Sequence, residues 1–109
     1  MDGSYLRLYV HENDRVRGQL AWEWLLTRAN DMGIRGGSAF RALAGFGRRH
    51  VLHEERFFEL AGTVTVEIEF IVTDDEARQL LELVAHERLR VFHARIPAHF
   101  GVIGGGTAD

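Results

Sequence analysis

The sequence predicts an α+β domain in which two helices cover one face of a four-stranded antiparallel sheet. Three observations predict this class. Apolar and polar residues alternate in four segments, two further segments carry apolar residues at helical spacing, and the six follow one another in the order βαββαβ. That order is the ferredoxin-like split βαβ arrangement, with both helices on the apolar side of the sheet. At 109 residues, the chain is expected to form a single domain over 1–109.

The first predicted strand lies near the N-terminus and has one buried face. Its apolar residues fall on every second position, which is the spacing of a strand with one side in the core: Leu6, Leu8 and Val10. A polar turn follows this strand. A helix is then predicted over 19–32, and it ends at Gly33 because glycine is a common C-terminal stop.

The two tryptophans of this helix are assigned to different environments. Trp22 falls in the apolar stripe and is interpreted as a core residue. Trp24 falls at the margin of the polar half, so we interpret it as a rim residue over the core. Contact with another subunit is the alternative for Trp24.

The second strand is predicted over 36–45 and is entered through two glycines. Phe40 is expected on the helix side of the sheet, whereas Arg41 and Leu43 are expected on the other side. A long, polar, arginine-rich connection follows and leads to the third strand.

The third strand and the second helix carry the clearest signals in the chain. Over 63–72, valine, isoleucine and phenylalanine alternate with threonine and glutamate, which indicates a strand with one apolar face. Thr73 and Glu76 have the spacing of a capping box, and acidic residues fill the first helical turn. A helix is therefore predicted over 74–87.

The fourth strand is predicted over 90–97 and is ended by Pro97. Its apolar alternate residues are expected on the helix side: Phe92, Ala94 and Ile96. Val91, His93 and Arg95 are expected on the opposite side. The glycine-rich segment 98–109 is expected to be a flexible tail.

One face of the predicted sheet has no helix to cover it. A solvated face is one interpretation, because antiparallel sheets commonly have one wet side. The alternative is a subunit interface, in which arginines and glutamates of the face neutralise one another. The predicted interface residues are Tyr9, Arg41, Glu67, Glu69, His93 and Arg95.

Composition excludes several classes of protein. The chain has no cysteine, so disulfides and thiolate metal sites are excluded. A net charge of -3 argues against broad nucleic-acid binding, so no nucleic-acid partner is expected. No secretory signal pattern or apolar run of membrane-spanning length is present, and a cytoplasmic location is expected.

The stretch after the second strand combines a permissive backbone with forked hydrogen-bond donors. Two glycines allow a ligand to approach the main chain, and successive N–H groups in such a turn can form an anion-binding nest. The following guanidinium groups suit phosphate or carboxylate. The predicted ligand-binding residues are Gly45, Phe46, Gly47, Arg48 and Arg49. A bulged strand end is the alternative interpretation.

Two histidines follow in the same connection. His50 and His53 lie three residues apart and, with neighbouring glutamates, could bind zinc or copper. A mobile loop does not offer the fixed geometry of a metal site, so metal binding is kept as an alternative. No hydrolase, nucleotide-hydrolase or zinc-protease motif is present, and the chain is not expected to be an enzyme.

A set of motifs accompanies the βαββαβ order of this chain: Gly33-Ile34-Arg35-Gly36-Gly37, Arg41, Gly45-Phe46-Gly47 and His53. With these motifs the chain resembles the DUF190 family of the PII-like superfamily, which also includes nitrogen-regulatory PII and CutA proteins. The resemblance covers about Tyr5 to Ile96.

The resemblance implies a homotrimer with the sheets turned inward and a ligand site at the subunit boundary. In PII proteins a Gly-Phe-Gly-Arg-Gln run at the base of the T-loop helps to hold ATP or ADP and 2-oxoglutarate. Here Arg49 replaces the glutamine, and the glycine- and lysine-bearing stretch before the last strand is absent. The architecture and the place of the site therefore carry over, but the ligand does not. Some DUF190 proteins are associated with fluoride-export channel genes, which implies a membrane transport or channel protein as partner.

The function expected from the sequence is a non-enzymatic PII-like regulator. It would bind a small anionic ligand, an adenine nucleotide or a cyclic dinucleotide, without a bound cofactor. The loop would then change its contact with a partner protein through His50, His53 and Arg56. A CutA-like metal-binding trimer that uses His50 and His53 is the first alternative. An enzyme acting on a small anion in the same cleft is the second.

Overall fold

The computed structural model describes residues 1–46, 53–54 and 64–105, with only the backbone at 53–54. Two helices and a four-stranded antiparallel sheet form an α+β fold in these ranges. The elements in chain order are β1 Asp2–His11, β2 Arg15–Val16, β3 Gln19–Leu20, α1 Ala21–Asp31, β4 Gly37–Arg41, β5 Ala44–Gly45, β6 His53–Glu54, β7 Thr65–Val72, α2 Asp74–His86 and β8 Phe92–His99.

The main sheet has the strand order β4-β7-β1-β8, and every neighbouring pair is antiparallel. The first and third long strands of the chain are therefore central, and the second and fourth are the edges. This is the strand order of the predicted ferredoxin-like βαββαβ arrangement, so the predicted fold class is confirmed. No helix in the described ranges is both long and apolar enough to cross a membrane.

The core lies between the helices and one face of the two central strands. The fully buried large side chains include Leu6 and Leu8 of β1, Ile68 and Phe70 of β7, and Leu80 of α2. Each such side chain contributes about 1.5–3 kcal/mol of transfer free energy when it leaves water. The alternation predicted for both central strands is therefore confirmed.

Helix α1 begins two residues later than predicted because a small hairpin precedes it. Gln19, the first residue of the predicted helix, pairs with Val16 across the β2–β3 hairpin. The two turn residues of this hairpin, Arg17 and Gly18, have positive φ values of 51° and 81°. Such a two-residue turn matches the twist of paired strands.

The assignment of the two tryptophans was wrong. Trp24 is buried in the core with Ala21, Leu25 and Ala29, while Trp22 is only half-buried at the edge of the cluster. The buried residues follow the i, i+3, i+4, i+8 spacing of a helix that starts at residue 21. Trp24 is thus a core residue in a single copy of the chain.

Helix α2 follows its sequence signals closely. The Thr73 hydroxyl accepts the Glu76 backbone N–H at 3.1 Å, and the Glu76 carboxylate accepts the Thr73 N–H at 2.9 Å. The predicted capping box is therefore present, and it satisfies two donors that the first turn leaves without helical partners.

In the edge strand β4, the side chains lie on the opposite sides of the sheet from those predicted. Phe40 pairs with Glu67, so both lie on the open face, whereas Ala39 pairs with the buried Ile68. Arg41 pairs with Val66 and therefore lies on the helix side. The predicted sides of Phe40 and Arg41 were wrong.

The other edge strand, β8, is inverted in the same way. Phe92 pairs with Tyr9 and Ile96 with Tyr5, which places both apolar residues on the open face. His93 and Arg95 pair with Leu8 and Leu6, so they lie on the helix side. Pro97 does not end the strand, which continues to His99 and takes in Ala98 and His99 from the predicted tail. Proline is tolerated there because β8 is an edge strand.

Candidate functional site

A short ladder closes the base of the connection that follows β4. In the β5–β6 pair, Ala44 stands opposite Glu54 and Gly45 stands opposite His53. A Cβ added at Gly45 would meet nothing within 4 Å, so the main chain at this position is open to approach. The Phe46 side chain is 64% exposed beside it. Two of the predicted ligand-binding residues therefore sit at an accessible loop base.

The remainder of the predicted ligand site lies outside the described residues. Gly47, Arg48, Arg49, His50 and Arg56 belong to the ranges 47–52 and 55–63. The side chain of His53 is likewise outside the description. The anion-binding nest and the loop contacts stay predictions.

Metal ligation by histidine also stays a prediction. In the described ranges, no group of three or more histidine, aspartate or glutamate side chains is placed to hold a metal ion. The histidine pair of the predicted metal site, His50 and His53, falls outside that search.

The open face of the sheet carries two apolar bands with a charged row between them. Paired residues share a face, so the cross-strand registers define the rows. The first band contains Ile71, Tyr5 and Ile96, the middle row contains Glu69, Arg7 and Ala94, and the second band contains Phe40, Glu67, Tyr9 and Phe92. Phe92 is 73% and Phe40 is 51% exposed, which is unusual for large aromatic side chains at one surface.

Arg7 is the centre of the polar contacts on this face. Its guanidinium carbon lies 5.9 Å from the ring centre of Tyr5 and 5.7 Å from that of Tyr9, which is within range of cation–π attraction. The guanidinium forms an ion pair with Glu67, and its Nε lies 3.7 Å from Glu69 Oε1. The positive charge is therefore engaged within one copy of the chain.

Both tyrosine hydroxyls donate to the same pair of carboxylates. Tyr5 donates to Glu69, and Tyr9 donates to Glu67 Oε1 at 3.5 Å. The hydrogen bond to the Glu69 carboxylate raises the pKa of Tyr5, because loss of the phenolic proton would break that bond. The Phe92 ring packs against Tyr9 with centres 5.7 Å apart and a tilted arrangement.

The structure divides the six predicted interface residues between two faces. Tyr9, Glu67 and Glu69 lie on the open face as predicted. The other three lie on the helix side: Arg41, His93 and Arg95. The prediction of their side of the sheet was wrong.

The sequence prediction also missed apolar residues of the open face. These are Tyr5, Phe40, Ile71, Phe92 and Ile96. Phe40, Phe92 and Ile96 were assigned to the helix side, and Tyr5 and Ile71 were assigned to neither side. The arginine in each edge strand could not have corrected this assignment, because a guanidinium is costly to bury in a core and so favours the side that was wrongly predicted.

Both arginines that lie on the helix side have partners of their own. Arg41 forms an ion pair with Glu12 at 2.7 Å, next to the loop base. Arg95 donates from Nε to Ser4 Oγ at 3.1 Å and approaches Asp74 Oδ1 at 3.3 Å. These contacts fasten each edge strand to the body of the domain.

The contacts of Arg95 lie in a shallow cleft of about 560 Å³ at the start of α2. The Ser4 hydroxyl donates to Asp74 Oδ1 at 2.8 Å, and Ser4 is 2% exposed. The hydrogen bond from Ser4 and, to a smaller extent, the one from Arg95 lower the pKa of Asp74. A buried hydroxyl that both donates to a carboxylate and accepts from a guanidinium fits a structural role better than that of a nucleophile.

These observations define a small α+β domain with a ferredoxin-like sheet, an accessible loop base and an uncovered, partly apolar sheet face. The family model of DUF190, described as "Uncharacterized ACR", matches residues 3–90. The chain therefore belongs to the DUF190 family. It is also similar to a UPF0166 protein from Aquifex aeolicus (strain VF5), with 30% identity over 77 residues, which is 71% of this chain and 73% of that protein.

Proposed function

We propose that this protein is a cytoplasmic, non-enzymatic regulator of the PII-like kind that assembles into a homotrimer through the open sheet face. Clefts between its subunits bind a small anionic ligand, an adenine nucleotide or a cyclic dinucleotide. Binding alters the loop that starts at Gly47, and the loop regulates a partner such as a membrane transport or channel protein. Membership of the DUF190 family supports this proposal.

The observation that carries the proposal is the composition of the open face. Large apolar side chains stand in two bands, and Phe92 and Phe40 are more than half exposed. Burial of such surface yields about 25 cal/mol per Å², so contact with another apolar surface is favoured over exposure to water. Another copy supplies an equivalent pair of bands, and cyclic symmetry closes the assembly.

The positive charge of the open face needs no countercharge from a partner. Arg7 is engaged with Glu67 and with the two tyrosine rings of its own copy. A partner therefore need not supply a carboxylate to satisfy this guanidinium. An identical face, which carries the same internal contacts, meets that condition.

Two features support the proposed binding of an anionic ligand: the accessible loop base, and the use of arginine as the basic residue. Gly45 leaves the main chain open, and Arg48 and Arg49 follow in the sequence. The chain contains 13 arginines and no lysine. The planar guanidinium forms two parallel bonds to phosphate or carboxylate, so an anion bound here would be recognised by forked donors.

Two measurements test the proposal separately. Sedimentation at micromolar concentration should give the mass of three chains, and single chains alone would contradict the assembly. Calorimetry against adenine, guanine and cyclic dinucleotides should detect binding that Arg48→Ala weakens by about tenfold or more. Arg78→Ala is the matched control, because it removes an arginine from the exposed surface of α2. Absence of binding by any nucleotide would contradict the ligand assignment.

A further inference from the structure

The centre of the open face holds more negative than positive charge. Arg7 stands beside two carboxylates, Glu67 and Glu69. Of the strands next to them, β4 contributes Ser38 and Phe40, and β8 contributes Phe92, Ala94 and Ile96 to this face, none of which titrates. β1 adds two tyrosines and, at the far end of the face, His11 opposite Thr65.

The two carboxylates are not equivalent in their contacts with Arg7. Glu67 is ion-paired with the guanidinium. Glu69 lies 3.7 Å from Nε without a hydrogen bond, and Nε is buried without a hydrogen-bond partner among the described residues. The hydrogen bond from Tyr5 is the contact that supports Glu69. The charge of Arg7 is therefore balanced mainly by Glu67. Glu69 is the carboxylate in excess of the single positive charge.

Water still reaches all three groups in a single copy. The side chains of Arg7, Glu67 and Glu69 are 35%, 19% and 28% exposed. The open face of another copy, closed over them, would remove that water, and a charge buried without a partner is strongly unfavourable. Protonation of one carboxylate removes the excess charge and leaves the Arg7–Glu67 pair balanced.

We infer that closure of the open face against further copies takes up protons at Glu69, so that falling pH strengthens the assembly. This inference rests on the proposed homotrimer and adds a form of regulation to it. Each copy contributes one more carboxylate than guanidinium to the closed face. By linkage, the association constant rises by about tenfold per pH unit for each proton taken up on assembly.

Sedimentation of the full chain at a series of concentrations, from about pH 7.5 to about pH 5.5, tests the inference. The wild-type concentration at half-assembly should fall by about threefold or more per pH unit, as expected for one proton or more per trimer. Glu69→Gln should assemble about tenfold more tightly at neutral pH and should lose this dependence. Glu82→Gln is the matched control, because it removes the same charge from a side chain on α2 that is 67% exposed. His11→Gln reports the contribution of the histidine on the same face.

The outcomes separate this inference from the proposed function. A trimer whose pH dependence is absent, is unchanged by Glu69→Gln, or disappears with His11→Gln overturns the inference and leaves the trimer intact. Single chains at every pH overturn both. A loss of pH dependence in Glu69→Gln, with Glu82→Gln and His11→Gln behaving like wild type, supports the inference.

Discussion

Arg17 and Glu87 form a two-point ion pair that ties the turn of the β2–β3 hairpin to the C-terminal end of α2. Arg17 Nε lies 3.0 Å from Glu87 Oε1, and Nη2 lies 3.0 Å from Oε2. The arginine adopts a positive φ of 51°, a conformation that bulky residues rarely take. Its side chain therefore contributes a contact that glycine, which fits this turn position better, could not make.

Replacement of Arg17 by asparagine should lower stability at neutral pH but not in strong acid. Asparagine tolerates positive φ, so Arg17→Asn removes the ion pair and keeps the turn. The hydrogen bonds from Arg17 lower the pKa of Glu87, so the pair stabilises the fold above the usual carboxyl range and is lost as pH falls through the lowered value. Urea unfolding across this pH range should show a difference from wild type that shrinks toward zero. A difference that is constant with pH would count against the pair.

Replacement of Gly37 by alanine should destabilise the domain by about 1–3 kcal/mol through overpacking. An added Cβ would lie 2.4 Å from a ring carbon of Phe70, which is 1% exposed and cannot move into solvent. Gly36→Ala is the matched control, because a Cβ at Gly36 meets nothing within 4 Å. Denaturant unfolding should separate the two variants, and equal stability would show that the core can relax around the extra methyl group.

Replacement of Thr73 by alanine should cost about 1 kcal/mol of unfolding free energy, because the N-terminal turn of α2 loses its cap. The hydroxyl accepts the Glu76 N–H at 3.1 Å, and alanine leaves that donor without its partner. Thr73→Ser keeps the accepting oxygen and should retain most of the stability. Thermal and urea unfolding of the two variants provide the comparison; a serine variant as weak as the alanine variant would mean that the methyl group matters more than the cap.

Replacement of Phe92 by glutamate should weaken the proposed assembly by at least about tenfold without unfolding the single chain. The ring is 73% exposed, so the core does not depend on it, yet it stands in the aromatic band of the open face. Ile103→Glu is the control, because Ile103 is 99% exposed in the C-terminal segment after β8. Sedimentation reports the association, and circular dichroism reports the fold. Unchanged association in Phe92→Glu would remove the open face from the interface.

The central part of the fold could be predicted because its signals are local and agree with one another. The alternation of β7 and the capping box of α2 are each contained in a few adjacent residues. Central strands also have one well-covered face, so their apolar residues point to the core. The order of the strands followed from these elements and the general rules for connecting them.

The edge strands could not be predicted by the same argument. Phe40 and Phe92 were assigned to the helix layer because apolar residues were assumed to face it. At the edges the helices give less cover, and Arg41 and Arg95 reach carboxylates on the helix side instead. The side of an edge strand depends on what finally covers each face, and a single sequence does not contain that information directly.

The candidate site was predicted in part for a similar reason. The choice of Tyr9, Glu67 and Glu69 for the open face was right because they lie on central strands. The stacking of Arg7 between two tyrosine rings follows from the i, i+2 spacing on one strand face, and the sequence could have suggested it. The hairpin around Arg17 was missed because arginine is an unexpected residue at a left-handed turn position.

Pro97 has a consequence for how copies of this chain can meet. It lies inside the outermost strand, opposite Ser4, and supplies no N–H for hydrogen bonding. Backbone hydrogen bonding between two copies along the free edge of β8 would be interrupted at this residue. The proline therefore disfavours open-ended polymerisation of copies into a fibre through the free edge of β8.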